Sequence, residues 1–104
     1  MTIQINSDNN IKGSEGMIST FESVISTALD RYSGQLTRIE AHFSDENSHK
    51  SGQLDKKCLL EARLEGMQPL AVTNHGNTLD QALRGAIDKI KTSIDTAIGR
   101  LRNH

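Results

Sequence analysis

The spacing of apolar residues predicts a strand and then a helix in the first third of the chain. Apolar and polar residues alternate over Thr2 to Asn6, which is typical of a short strand with one buried face. From Ser14, a favourable N-cap, apolar residues recur every three or four positions up to Tyr32, shortly before Gly34. This spacing predicts a helix of about five turns that packs on a core. The apolar positions of this helix are Met17, Ile18, Phe21, Val24, Ile25, Ala28, Leu29 and Tyr32.

Three further strands are predicted in the middle of the chain, where the period returns to two. Leu36 to Ser44 and Lys57 to Glu65 each alternate apolar and polar side chains. The polar stretch Asp45 to Gln53 between them predicts a hairpin with a long tip. A turn that ends at Pro69 leads to a further alternating run, Leu70 to His75. Because proline has no amide hydrogen to donate, Pro69 belongs at the start or the edge of that strand.

The last segment has the strongest helical periodicity in the chain. It begins at Thr78, a good N-cap, and continues to the C-terminal region. Its apolar stripe consists of Leu79, Leu83, Ala86, Ile87, Ile90, Ile94, Ala97, Ile98 and Leu101. The predicted order of elements is therefore strand, helix, three strands, helix.

This order predicts a single α+β domain, a two-layer sandwich that spans residues 1–104. Each strand has one apolar face and each helix one apolar stripe, so both helices are expected on the same face of a four-stranded sheet. A right-handed crossover through the first helix makes the first two strands parallel, and short turns make the other pairs antiparallel. The sheet is thus predicted to be mixed, with strand order 1-2-3-4.

Composition excludes several classes of protein. The 104 residues carry 12 Lys and Arg against 13 Asp and Glu, with 35% hydrophobic and 24% charged residues, which is ordinary globular usage. Cys58 is the single cysteine, so it can form neither an internal disulfide nor a two-cysteine zinc clasp. The start of the chain lacks the pattern of a secretory signal, and no apolar run is long enough for a membrane span. We therefore expect a cytoplasmic protein with no membrane partner.

Two segments resemble the ribosome hibernation-promoting factor family, also called ribosome-associated inhibitor A or sigma-54 modulation proteins. Gly76 to Ile90 (GNTLDQALRGAIDKI) is similar to the strand-to-helix segment of that family, and Leu36 to Phe43 (LTRIEAHF) is similar to its second strand. The resemblance implies a β-α-β-β-β-α fold similar to double-stranded RNA-binding domains. It also implies a non-enzymatic protein that docks on the small ribosomal subunit and blocks the decoding sites of idle ribosomes.

A surface that binds rRNA needs cations collected on one face, because phosphate neutralisation supplies most of the sequence-independent affinity. By the resemblance, Lys89 matches the lysine of an Asp-Lys pair that the family carries on this helix. The other candidate phosphate contacts on the last helix are Arg84, Lys91, Arg100 and Arg102. Lys56 and Lys57, near the hairpin, are candidates for an extension of this basic rim.

The opposite interpretation is a solvated helix face that ion pairs neutralise. Two i,i+4 pairs are predicted on the last helix, Arg84 with Asp88 and Lys91 with Asp95. Where the family carries lysines near the end of this helix, the present chain has residues 95–99 (DTAIG). The alternative function is therefore a divergent protein-interaction module without RNA binding, and self-association as a homodimer stays open.

The remaining side chains predict no catalytic site, cofactor, metal site or DNA partner. Cys58 shares a strand face with apolar residues, so a buried and inert thiol is expected. His42 and His75 lack the spacing of a histidine ligand pair. An enzymatic function would require Cys58 to lie beside His42 or His75 in an open cleft. The outer face of the first helix carries a row of hydroxyl side chains. This face can contact a protein, RNA or solvent, and the sequence does not decide among them.

Overall fold

The computed structural model describes residues 1–8, 15–46 and 55–102, the last of them for its backbone alone. The elements are β1 (Thr2–Ser7), α1 (Glu15–Leu29), a 3-10 turn (Asp30–Tyr32), β2 (Leu36–Asp45), β3 (Lys56–Leu64), β4 (Leu70–Gly76) and α2 (Leu79–Arg102). The predicted order is confirmed. The expected N-cap Ser14 and most of the hairpin tip lie outside the described residues.

The sheet has the predicted topology. Its strand order is β1-β2-β3-β4, with β1 parallel to β2 and the other two pairs antiparallel. In the parallel pair Ile3 lies opposite Ile39, so both apolar faces point to the same side. Gly66 follows β3 with a φ of 74°, a left-handed conformation that glycine adopts without strain.

Both helices cover one face of the sheet, as predicted. Phe21, Ile25 and Leu29 of α1 share one buried cluster with the inward residues of β2 and β3. Apolar residues of α2 complete the same cluster, among them Leu83 and Ile90, both fully buried. The outward face of the sheet carries mostly polar side chains and is left to solvent.

The first helix ends earlier than its apolar spacing predicts. The α-helical hydrogen bonding stops at Leu29, and the amide of Ser33 donates to the carbonyl of Asp30 at 3.0 Å, which makes the last turn a 3-10 turn. The expectation of one continuous helix to Tyr32 is therefore wrong in its final turn. Tyr32 is nevertheless 3% exposed, with its hydroxyl hydrogen-bonded to Asp95 of α2. The tighter turn thus ties the end of α1 to the second helix.

The junction of β4 and α2 is a close fit. Thr78 is the predicted N-cap: its hydroxyl oxygen accepts from the amide of Gln81 at 3.1 Å, and the side-chain oxygen of Gln81 accepts from the amide of Asn77 at 3.0 Å. Asn74 donates to the carbonyl of Ala82 at 3.2 Å. These bonds satisfy backbone groups at the helix start and fix the angle at which α2 leaves the sheet.

Gly76→Ala is expected to destabilise the domain by about 1–3 kcal/mol, because overpacking against backbone cannot relax cheaply. A Cβ at this position would lie 2.7 Å from the backbone nitrogen of Ala82. Gly34→Ala is the matched control, since its Cβ would meet no heavy atom within 4 Å. Urea unfolding followed by circular dichroism checks this, and equal unfolding midpoints for the two variants would contradict the close approach.

Candidate nucleic-acid interface

The outer face of α2 holds most of the candidate phosphate contacts. This helix carries five basic and three acidic residues. At about 100° per residue, Arg84, Lys91 and Arg102 lie on one flank of the apolar stripe, while Lys89 and Arg100 lie on the other. The partners of the three acids decide how much of this positive charge is available to a phosphate backbone.

Asp95 does not neutralise Lys91, contrary to the predicted i,i+4 pair. Its carboxylate accepts from the Tyr32 hydroxyl at 2.8 Å and from the Arg31 guanidinium at 3.0 Å. Burial raises the pKa of Tyr32, as does the hydrogen bond to Asp95, so this phenol stays protonated and donates. Arg31 also stacks over the Tyr32 ring, 4.6 Å from its centroid. The third acid of α2 therefore serves the contact between the helices.

Arg84 also has a different partner from the predicted one. Its Nε atom donates to both carboxylate oxygens of Asp80, at 2.9 and 3.1 Å, rather than to Asp88. An acid four residues before a base is the more favourable orientation on a helix, which accounts for the choice. Both side chains are more than half exposed, so the pair is weak and a phosphate can compete for the guanidinium.

Lys91 and Arg100 are the α2 cations with no hydrogen-bond or ion-pair partner among residues 1–8, 15–46 and 55–101. Lys91 is half-buried, and Arg100 is exposed. Lys89 is engaged instead, because its ammonium donates to the carbonyl of Thr73 on the edge strand β4 at 2.8 Å. The backbone of Arg102 continues the helix.

The two hairpin lysines are ion-paired and alternate onto opposite faces of β3. Lys56 lies 3.1 Å from Asp45 and 3.3 Å from Asp55, and the hydrogen bond to Asp45 raises the pKa of Lys56. Lys57 lies 3.3 Å from Glu46 and alternates onto the sheet face away from the helices. The structure therefore places Lys57 on the opposite side of the sheet from the α2 candidates.

Cys58 has no catalytic setting among the described residues. Its side chain is fully buried, and burial raises the pKa of the thiol to about 12. His42 and His75 alternate onto the other face of the sheet, so neither lies beside the sulfur. The arrangement that an enzymatic function would require is therefore absent from the part of the chain described.

The native thiol of Cys58 is expected to resist labelling. A rise in pKa from 9.0 to about 12 lowers the thiolate fraction at pH 8 roughly a thousandfold, in addition to steric protection. Reaction with a disulfide reagent, followed by absorbance, should be slow in buffer and fast in urea. Fast stoichiometric labelling of the folded chain would contradict the buried assignment.

Within the described ranges, no helix is long and apolar enough to cross a membrane.

The class of fold is confirmed by comparison with solved structures. Neither a protein-family profile nor a curated protein matches the chain. A ribosomal subunit interface protein from Coxiella burnetii is similar, with a TM-score of 0.75, 15% identity, and coverage of 95% of this chain and 99% of that one. The N-terminal domain of Protein Y from Thermus thermophilus is also similar, with a TM-score of 0.72, 17% identity, and coverage of 90% and 96%. The α+β fold is thus shared over nearly the whole chain.

Proposed function

We propose that this chain is a non-enzymatic, cytoplasmic, ribosome-associated regulator that binds the small subunit through rRNA and occludes it while ribosomes are idle. The observation that carries this proposal is the fold shared with a ribosomal subunit interface protein over 95% of the chain and 99% of the neighbour. The whole length acts as one domain. Inhibition or protection then follows from steric exclusion, which requires neither a cofactor nor a catalytic group.

The charge on α2 supports rRNA as the surface that is bound. Lys91 and Arg100 hold no intramolecular partner among the described residues, so no ion pair must break before they meet a phosphate. Arg84 can exchange its exposed Asp80 contact for a phosphate, and Arg102 is a further candidate at the end of the helix. Lys89 contributes after release from the Thr73 carbonyl. Lys56 and Lys57 are secondary candidates because each is already ion-paired.

A net charge of -1 sets the expected strength of docking. Long-range attraction to RNA is small for such a chain, so affinity must come from local contacts with phosphates. We therefore expect binding that weakens steeply as salt rises, since each phosphate contact releases counterions.

Cosedimentation of the whole chain with purified small subunits over a series of salt concentrations tests the function. We expect the logarithm of the affinity for small subunits to fall linearly with the logarithm of the salt concentration. Large subunits are the negative control. If the purified chain instead keeps a protein partner at high salt and carries no rRNA, the alternative function as a protein-interaction module is favoured. No cosedimentation at low salt would overturn the ribosome proposal.

A further inference from the structure

The outward face of the sheet places two carboxylates directly opposite each other. Glu40 on β2 and Glu61 on β3 are cross-strand partners in the antiparallel ladder, and both side chains point away from the helices. Like charges at opposed positions destabilise a sheet unless a cation lies between them. Arg38 lies 2.7 Å from Glu40, so a further positive partner is called for only on the Glu61 side of the pair.

A histidine completes the group. His42 lies two residues after Glu40 on the same strand face, and its Nε2 atom is 3.5 Å from an oxygen of Glu40 and 3.8 Å from an oxygen of Glu61. This nitrogen is shielded from solvent and has no hydrogen-bond partner among the described residues. At 3.5 and 3.8 Å these contacts are long for hydrogen bonds, and the spacing leaves room for a cation among the three ligand atoms.

We propose that Glu40, His42 and Glu61 form a binding site for one divalent metal ion of the zinc class. One ligand atom from each residue lies within 4.8 Å of the other two. Tetrahedral zinc with bonds of about 2.1 Å places its ligand atoms roughly 3.4 Å apart. The two distances from His42 Nε2 are already close to that value, so small rotations of the carboxylates suffice.

The surrounding side chains orient the ligands without blocking the centre. Arg38 donates from Nε to the Oε1 atom of Glu40 at 2.7 Å, which leaves Oε2 facing the histidine. The same contact lowers the pKa of Glu40, so that this carboxylate stays ionised. On the other side of the ring, Nδ1 lies 3.4 Å from the side-chain amide of Asn6. The amide nitrogen of Asn6 faces Nδ1 and its oxygen accepts from Gln4 at 3.3 Å, so metal binding at Nε2 requires this amide to turn and present its oxygen to Nδ1.

The ligand set selects the class of metal. One imidazole nitrogen and two carboxylate oxygens suit zinc, with water as the fourth ligand. Calcium and magnesium prefer more ligands and oxygen alone, so they are expected to bind far more weakly. A bound cation would also screen the Glu40–Glu61 repulsion and join β2 to β3. The site lies on the sheet face opposite α2, so the proposal does not depend on ribosome binding.

Titration of the whole chain with zinc chloride by isothermal calorimetry, in a buffer without phosphate or chelators, tests the site. The native chain is expected to bind one zinc ion, and His42→Gln and Glu61→Gln are each expected to bind at least tenfold more weakly. The matched control replaces the other three histidines, His49, His75 and His104, with glutamine. Within residues 1–8, 15–46 and 55–101, His75 has one carboxylate neighbour, Glu46 at 3.5 Å, so this triple variant should retain the native affinity.

Nitrogen-detected NMR of the imidazole rings provides a second readout. It uses the native chain, so it does not depend on whether a variant folds. On addition of one equivalent of zinc, the Nε2 signal of His42 should shift as coordination forms while Nδ1 stays protonated. Equal zinc affinity for the native chain and H42Q, or loss of binding in the triple variant alone, would overturn the site. An unshifted His42 Nε2 in zinc-saturated protein would also overturn it.

Discussion

Replacement of both Lys91 and Arg100 by glutamine is expected to weaken binding to the small subunit about a hundredfold at low salt. A hydrogen bond to a charged group contributes roughly 1.5 kcal/mol or more, which is about tenfold for each contact. These two cations have no competing partner among the described residues, so their replacement should weaken the complex without destabilising the fold. The slope of log affinity against log salt should also fall by about two.

The matched control for that variant changes net charge equally on another surface. Ser19→Glu with Ser26→Glu adds two negative charges to the exposed face of α1 and lowers net charge by the same amount. If rRNA contacts α2 locally, this control should lose little affinity and keep the native salt slope. Equal losses for both variants would show that overall charge, and not the α2 surface, governs binding.

Phe43→Ala is expected to cost about 3–5 kcal/mol of folding free energy, a large part of the stability of a small domain. The ring is 2% exposed and packs against Phe21 with 5.1 Å between centroids, where α1 meets the sheet. Its removal leaves a cavity that the strands cannot close, because β2 is held in register by strands on both sides. Urea unfolding should show a lower midpoint with an unchanged m-value.

Leu101→Ala is the control for that truncation. This side chain is 58% exposed near the end of α2, so its loss should change stability by about 0.5 kcal/mol or less. A Phe43→Ala variant as stable as Leu101→Ala would contradict the packing of α1 on the sheet. A melting temperature lowered by more than about 12 °C for Phe43→Ala is the expected thermal result.

The fold could be predicted from sequence because each element carries its own period. Two-residue alternation in Leu36 to Ser44 marked both the strand and its buried face, and the stripe from Leu79 to Leu101 marked the second helix. The end of α1 was the exception. Tyr32 fits the helical stripe, but its ring reaches its buried position, with the hydroxyl on Asp95, through a 3-10 turn. Local spacing does not record such a long-range contact.

The contacts of the candidate site were less predictable, for the same reason. Helical spacing offered Lys91 as the partner of Asp95, whereas the observed partners come from the 3-10 turn after α1, more than sixty residues earlier in the chain. The Glu40, His42 and Glu61 group depends on the register of β2 against β3 across a hairpin. A strand shifted by one residue would turn these side chains to opposite faces, so the group could not be read from the spacing of histidines alone.

The most direct test of the interface is photo-crosslinking from α2 to rRNA in the complex with small subunits. A photoreactive amino acid at Thr92, an exposed residue next to Lys91, is compared with the same group at Ala71, which is exposed on the outward face of β4. If the cations of α2 contact rRNA, Thr92 should crosslink to RNA of the small subunit and Ala71 should not. Crosslinks to rRNA from Ala71 alone would place the opposite face of the sheet on the ribosome and contradict the assignment.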